Sequence, residues 1–501
     1  MSGRRYSTAM SQATHDALTA HLLRADGQED LCFAVWYPSS GATRTTALVT
    51  LPILPDEGDR LVHGNASFLP PFFERAVGEA MRAGGGLAFL HSHPGPGWQG
   101  MSDDDVRAEQ LHAAQAQAAT GLPLVGLTVG TDGAWSARFW TKTAPRTYER
   151  QWCENVRVVS GKLSVTWHPL LHPTPRFRAS LERTISAWGA AAQVDLARLR
   201  IGVIGAGSVG SMVAEALART GMQRIDLLDF DSIEERNLDR LLHATVKDIG
   251  RAKVEVLAEG LRTSATASTF DVGAHEWSVV EEEGFRVALD CDVLFSCVDR
   301  PWPRSAMNFI AHAHLIPVVD GGIQVGVTRA GRLRRADWRA HIAAPGRRCL
   351  ECIGQYDPGQ VSAERDGYFD DPSYIDGLPA DHPVKANENV FAFSMSAASL
   401  EVLQFLMMVI APVGVATPGA QLYHFVPGLM EEPDFRGCDE TCLYPSLTAR
   451  GDTSGIIVTA EHAVAKRARD ERARGVAAEE KPAERRGWWA RLRDRLFGRA
   501  L

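Results

Sequence analysis

Residues 200–210 read Arg-Ile-Gly-Val-Ile-Gly-Ala-Gly-Ser-Val-Gly, a short apolar run that breaks into closely spaced glycines. The run has the length and branched content of a strand buried on both faces. Gly205, Gly207 and Gly210 then allow a tight turn and let phosphate approach backbone N–H groups at the start of a helix. The next apolar segment ends in Asp229, placed to accept ribose hydroxyls. The pattern predicts a doubly wound α/β sheet that holds an adenine nucleotide. Apolar runs at 224–231, 292–299 and 316–322 supply further strands of a mostly parallel sheet.

The glycine pattern alone says only adenine nucleotide. What separates hydride transfer from nucleotide activation is the polar set that follows: Asp231, Asn237, Arg240, Lys253 and Asp299. A hydride donor needs no cations converging beyond the first phosphate, whereas displacing pyrophosphate requires neutralised leaving oxygens and a metal carboxylate. Arg240 and Lys253 suit the first task and Asp299, as a Mg²⁺ ligand, the second. The attacking group would be a carboxylate, ionised at neutral pH without a general base.

Outward from this unit, 501 residues are enough for two or three domains. From Leu31 to Thr141, β-type runs alternate with helical stretches near 70–82 and 102–119, a small α/β unit assigned to 1–150. A Pro- and Arg-rich passage, His168 to Arg178, marks a linker over 151–178, and the nucleotide unit then occupies 179–450. Within it, 355–389 turns to Asp, Gly, Pro and Tyr and reads as a long loop. The last segment, 451–501, reads as a basic amphipathic tail, detachable from Thr459 onward; Trp488, Trp489, Leu492, Leu496 and Leu501 fall near one helical stripe with Arg491, Arg493, Arg495 and Arg499 interspersed. Such a segment lies on an anionic membrane, docks on a partner, or packs on its own protein.

Composition narrows the classes. A 45% hydrophobic and 23% charged chain is globular, and a net charge of −8 gives no global attraction to nucleic acid. Eight cysteines are too few for a disulfide scaffold, while the close pairs Cys349/Cys352 and Cys438/Cys442 suit one closed tetrahedral zinc in a reducing compartment. The first twenty residues lack the apolar run of a signal peptide, and Leu403–Ala416 falls short of the roughly 20 apolar residues of a membrane span. A cytoplasmic chain is expected.

The front unit carries its own chemistry. His91 and His93 stand two apart at a strand end, so both imidazoles project to one face and can meet one cation. Ser102 reads as a helix N-cap, with Asp105 on the first turn, where the helix dipole favours a carboxylate. Two imidazoles and one carboxylate leave a fourth position for water, the catalytic arrangement of zinc. Glu29, beside the first long strand, is the candidate base. Asp104 is the alternative ligand if the helix register absorbs one residue.

His91, His93, Pro94, Ser102 and Asp105, with Glu29 upstream, resemble the JAMM motif of JAB/MPN metalloproteases, although the His93-to-Ser102 spacing is one residue longer than the commonest form. The resemblance implies zinc on the two His and the Asp, Glu29 as general base, and Ser102 steadying the tetrahedral intermediate. The stretches LLDFDSIEERNLDR, DIGRAK and CVDRPWPRSAMN, with LERTISAWG upstream, resemble the ThiF/MoeB/E1 superfamily of ubiquitin-like protein activators. That resemblance implies ATP and Mg²⁺, adenylation of a C-terminal carboxylate, and Arg183 reaching the triphosphate, often from a partner subunit in a homodimer. Many such enzymes also hold a four-cysteine zinc. No cysteine lies in 355–389, where a thioester-forming member would place its nucleophile, so adenylation without an obligatory thioester is expected. Together the resemblances imply trimming or removal, then activation, of a ubiquitin-like protein in a bacterial conjugation pathway that includes an E2-like protein. A sulfur carrier of cofactor synthesis and a scaffold that merely binds the modifier are the alternatives.

Overall fold

The computed structural model describes residues 3–63, 65–328, 330–378, 389–415, 419–431, 437–455 and 457–475. In chain order the first unit contains β1 (Arg5–Ser11), α1 (Gln12–Leu22), β2 (Leu31–Ser40), β3 (Arg44–Ile53), β4 (Arg60–His63), β5 (Asn65–Phe68), α2 (Pro70–Ala83), β6 (Gly86–Ser92), α3 (Asp103–Thr120), β7 (Leu124–Val129), β8 (Trp135–Ala144), β9 (Thr147–Trp152), β10 (Asn155–Val159) and β11 (Leu163–Trp167). Its nine-stranded sheet runs β11-β10-β1-β3-β2-β6-β7-β8-β9. Strands β6 and β7 are buried along their whole length, so a helix must cover each face. The aromatic cluster around Phe33, Phe72 and Phe89 packs α2 on one of those faces.

This sheet overturns the boundary expected at 150. Strands β10 and β11 belong to it, with β10 parallel to β1 and fully buried, so the first unit runs through Trp167 and the connection shrinks to 168–178. The Pro- and Arg-rich composition belongs to the connection alone.

The second unit continues with α4 (Glu182–Trp188), α5 (Ala190–Arg198), β12 (Arg200–Ile204), α6 (Ser208–Thr220), β13 (Arg224–Leu228), α7 (Lys253–Ser264), β14 (Asp271–His275), α8 (Glu282–Leu289), β15 (Val293–Ser296), α9 (Pro301–Ala313), β16 (Val318–Val327), β17 (Leu333–Ala343), α10 (Pro358–Arg365), α11 (Pro372–Gly377), α12 (Phe391–Ile410), β18 (Gln421–His424), β19 (Leu429–Glu431) and α13 (Tyr444–Leu447). Its sheet runs β14-β13-β12-β15-β16-β17-β18-β19. The first five strands are parallel, as expected, while β17 to β19 pair antiparallel at one edge, so the sheet as a whole is mixed. The strand order reverses between β12 and β15, which opens the crevice where open α/β sheets hold ligands.

Two other expectations change. The stretch read as one loop carries α10 and α11, with residues 379–388 outside the described residues. The tail is not detachable at its start: residues 457–475 dock on the second unit, residues 463–475 as a helix. The Trp488-to-Leu501 stripe lies outside the described residues. Helix α12 is long and apolar enough by composition to cross a membrane, yet it packs in the core through Ala398, Val402, Phe405 and Met408 and buries Glu401 and Gln404.

The two units share one core, in which Ala9, Leu48 and Trp167 join Ile201, Leu217 and Phe295. Polar groups lock the same seam. Buried Arg44 bonds Asp292 at 2.6 Å, and Ser39 meets His314 at 2.8 Å.

Candidate functional sites

In the front unit, β6 delivers His91 and the residue after it delivers His93, while Ser102 caps α3 and starts it beneath them. The Ser102 hydroxyl accepts from the Asp105 N–H at 3.1 Å and the Ser102 N–H donates to Asp105 Oδ2 at 2.7 Å, a reciprocal cap that fixes the carboxylate. Asp105 Oδ1 then lies 3.4 Å from His91 Nε2 and Oδ2 lies 3.3 Å from His93 Nε2, with the two imidazole nitrogens 3.2 Å apart. The separation of the imidazole nitrogens is close to the edge of a tetrahedron with bonds of about 2.0–2.1 Å, and the three residues offer donor atoms within 4.8 Å of one another, so the donor set fits zinc. Asp104 instead faces solvent and pairs with Arg107 at 3.1 Å.

Glu29 joins this group through its neighbour. The Asp30 N–H donates to Ser92 Oγ at 2.9 Å and the Ser92 N–H to the Asp30 carbonyl at 3.0 Å, pinning the chain beside both histidines. Burial raises the Glu29 carboxyl above its ordinary range, Asp105 adds to this and the imidazoles oppose it. Burial also works to raise Asp105, but the hydrogen-bonded imidazoles outweigh it and hold that carboxyl well below the usual range.

Sequence reasoning missed the polar group beside His91. Thr128 Oγ1 sits 3.3 Å from His91 Nε2 and accepts from Arg138 at 2.6 Å; Arg138 in turn forms a fully buried pair with Glu109, which also accepts from Trp140 Nε1 at 2.6 Å. Glu109 stands one helical turn beyond Asp105, a spacing that puts both on one face of α3.

In the second unit the glycines do what the turn needs. Gly205 has φ +94°, and a Cβ on Gly210 would collide with the Gly205 carbonyl oxygen. Gly207 is the N-cap of α6, whose first N–H groups face the crevice. Asp229 accepts from the Ala206 N–H at 2.7 Å and the Asp231 N–H at 2.8 Å, which ties the β13 end to the glycine turn. Lys253 heads α7 and bonds Asp231 at 2.7 Å, and the Asp299 carboxylate lies close enough to act on its charge. Burial raises the Asp229 carboxyl, Lys253 opposes it and Asp231 reinforces it.

Not every expected residue converges. Arg240 turns to the Arg236 carbonyl and Asp239, each at 2.7 Å, and Asn237 Oδ1 accepts from the Glu234 N–H at 3.1 Å. Arg183 is exposed on α4, and the nearby Leu181 packs on Gly221 at the C-terminal end of α6, opposite the glycine turn. Sequence reasoning also missed Arg472, which bonds the Phe230 carbonyl at 2.8 Å from 242 residues away.

The four cysteines gather as a third cluster. Cys349, Cys352, Cys438 and Cys442 bring their sulfurs within 4.8 Å of one another, with Cys349 and Cys442 3.7 Å apart, close to the edge of a tetrahedron with bonds of about 2.3 Å. The donor set fits a closed structural zinc. The other thiols are poor nucleophiles: burial pushes Cys153 up to about 12 and raises Cys32, Cys291 and Cys297 well above the ordinary range.

Residues 180–413 match the ThiF family. The tRNA threonylcarbamoyladenosine dehydratase of Escherichia coli (strain K12) is 31% identical over 139 residues, 28% of this chain and 52% of that protein. Ubiquitin-like modifier-activating enzyme 5 of Drosophila willistoni is 28% identical, over 26% of this chain and 35% of that protein. The chain thus spans about half or less of these curated relatives. The crystal structure of E. coli MccB with ATP superposes with a TM-score of 0.39 at 18% identity, covering 53% of this chain and 74% of that one. Over residues 180–413 the second unit thus resembles ThiF-family, E1-like proteins.

Proposed function

We propose that this E1-like domain uses ATP and Mg²⁺ to adenylate the C-terminal glycine carboxylate of a ubiquitin-like protein, and that the front unit is a JAMM-type zinc peptidase acting on the same terminus. The observation that carries the reading is the grouping of Asp229, Asp231, Lys253 and Asp299 at the strand ends, beside the glycine turn. Lys253 neutralises phosphate charge, Asp229 holds the ribose, Asp299 serves Mg²⁺, and the first N–H groups of α6 receive the phosphates. The incoming carboxylate attacks the α-phosphorus and pyrophosphate leaves. Arg183 lies at the wrong end of α6 to serve its own chain, which supports a homodimer with the partner supplying it. The raised thiols favour release of the adenylate to an acceptor, such as an E2-like protein, without an obligatory thioester on this chain.

For the front unit, His91, His93 and Asp105 would hold zinc, which lowers the pKa of a bound water to about 7 and polarises a scissile carbonyl. Glu29 takes up the proton and returns it to the leaving amine. A precursor with residues beyond its final glycine cannot be adenylated, so trimming before activation gives both centres one substrate, and a shared core keeps them in one molecule.

ATP–pyrophosphate exchange tests the reading. It should depend on a peptide or modifier ending in a free Gly-Gly carboxylate, vanish when that end is amidated, and fall about 10²–10³-fold in Lys253→Ala or Asp299→Ala. Exchange that ignores the carboxylate would remove the proposal. The similarity to tRNA threonylcarbamoyladenosine dehydratases favours a second reading, in which the activated carboxylate is carried by tRNA. Exchange stimulated by tRNA and not by the peptide would select it.

A further inference from the structure

The matched family region ends at 413, yet residues 457–475 cross the ligand end of the second sheet. Thr459 bridges to Glu281, its N–H donating to the Val280 carbonyl at 2.8 Å. The His462 ring then sits edge-on 5.6 Å from both Phe230 and Trp302, joining the loop after β13 to the start of α9. The helix over 463–475 sets Arg469 on Glu281 at 2.8 Å and 4.1 Å over the Trp277 ring.

One turn further, Arg472 reaches the loop that carries the two nucleotide-site carboxylates. Its guanidinium donates to the Phe230 carbonyl at 2.8 Å, to Ser232 Oγ at 2.9 Å and to Glu276 Oε2 through Nε at 2.8 Å, and it is 12% exposed. Phe230 is the residue between Asp229 and Asp231. Fixing its carbonyl fixes the Phe230–Asp231 peptide plane, and with it the Asp231 N–H that donates to Asp229 Oδ1 at 2.8 Å and sets the direction in which that carboxylate points. A planar fork that meets three acceptors from two strand ends suits this task as a lysine cannot.

We propose that Arg472 is a positioning residue of the nucleotide site: acting through Phe230 and Ser232, it aims the ribose-binding carboxylate of Asp229, and residues 457–475 complete the adenylation domain beyond its family boundary. The inference rests on the reading that this site binds ATP. It places the effect on the nucleoside end of the ligand, since the phosphates meet α6 and Lys253, which Arg472 does not touch.

Calorimetric titration of the full-length chain with Mg·ATP, and separately with Mg·pyrophosphate, tests it. Arg472→Ala should weaken ATP about tenfold and leave pyrophosphate affinity within twofold, with zinc content unchanged. Arg472→Lys, which keeps one donor near the Phe230 carbonyl, should recover part of the loss. Arg469→Ala removes the same charge from the same helix without touching the loop and should leave ATP affinity within twofold. Wild-type ATP affinity in Arg472→Ala would overturn the inference while the adenylation reading stands. An equal loss for pyrophosphate, or in Arg469→Ala, would overturn it too, because the strap would then serve only stability. A wild-type chain that binds no ATP would overturn the adenylation reading itself, and the inference with it.

Discussion

At the scale of single residues, the front centre turns on which aspartate meets the imidazoles. Asp105 is held by its cap to Ser102 while Asp104 pairs outward with Arg107, so Asp105→Ala should lose the front zinc and Asp104→Ala should retain it, as metal analysis of the purified variants will read. The spacing Ser-x-x-Asp made this choice legible, because the reciprocal cap is a local device of four residues. What surrounds the ligands was not legible. Thr128 and Arg138 come from strands beyond the helix, and Arg472 from the end of the chain, so their contacts depend on strand register and docking that no short motif encodes. Arg240 shows the converse: its type and position fit a phosphate ligand, but its side chain finds nearer partners in Arg236 and Asp239.

Elements carry the next layer. Helix α3 starts at Ser102, and removing that cap hydroxyl in Ser102→Ala should cost about 1 kcal/mol in urea unfolding, with most of it restored by Ser102→Thr. The parallel strands β12, β13, β15 and β16 were readable as continuous apolar runs, since a sheet covered on both faces admits little else. Strands β10 and β11 were hidden by the neighbouring Pro- and Arg-rich passage and by buried charges such as Arg157, which a hydropathy pattern counts as surface. The antiparallel β17 escaped for a related reason: its exposed start carries Arg334 and Arg335, burial alternates from Ala336, and the strand is continuously buried only from Ala340.

The whole molecule is held by its seam. Arg44→Met would leave Asp292 buried without its closest ion-pair partner and should destabilise the fold by about 3–5 kcal/mol in chemical denaturation. Acid should act through buried histidines. Burial lowers His312 and His314 to about 4 and His341 to about 3, so the folded state favours their neutral forms. The unfolded chain takes up these protons from about pH 6.5 downward, so their contribution is full above that pH and is lost as pH falls toward the folded values. The melting temperature should be flat from pH 8 to 7 and drop between about 6.5 and 4, and His312→Phe should flatten part of that slope. The depressed carboxylates Asp226 and Asp292 add their loss only below about pH 4. Neither the seam nor these histidines could be read from sequence, where the two units look like separate domains on a linker. The central claim, two chemical centres in one rigid chain, is tested most directly by diffraction at the zinc absorption edge from crystals soaked with Mg·ATP. The account predicts anomalous peaks among His91, His93 and Asp105 and among the four cysteines, with a triphosphate at the start of α6 and its ribose on Asp229. A metal-free His91 and His93 in zinc-replete crystals, or a triphosphate bound elsewhere, would contradict it.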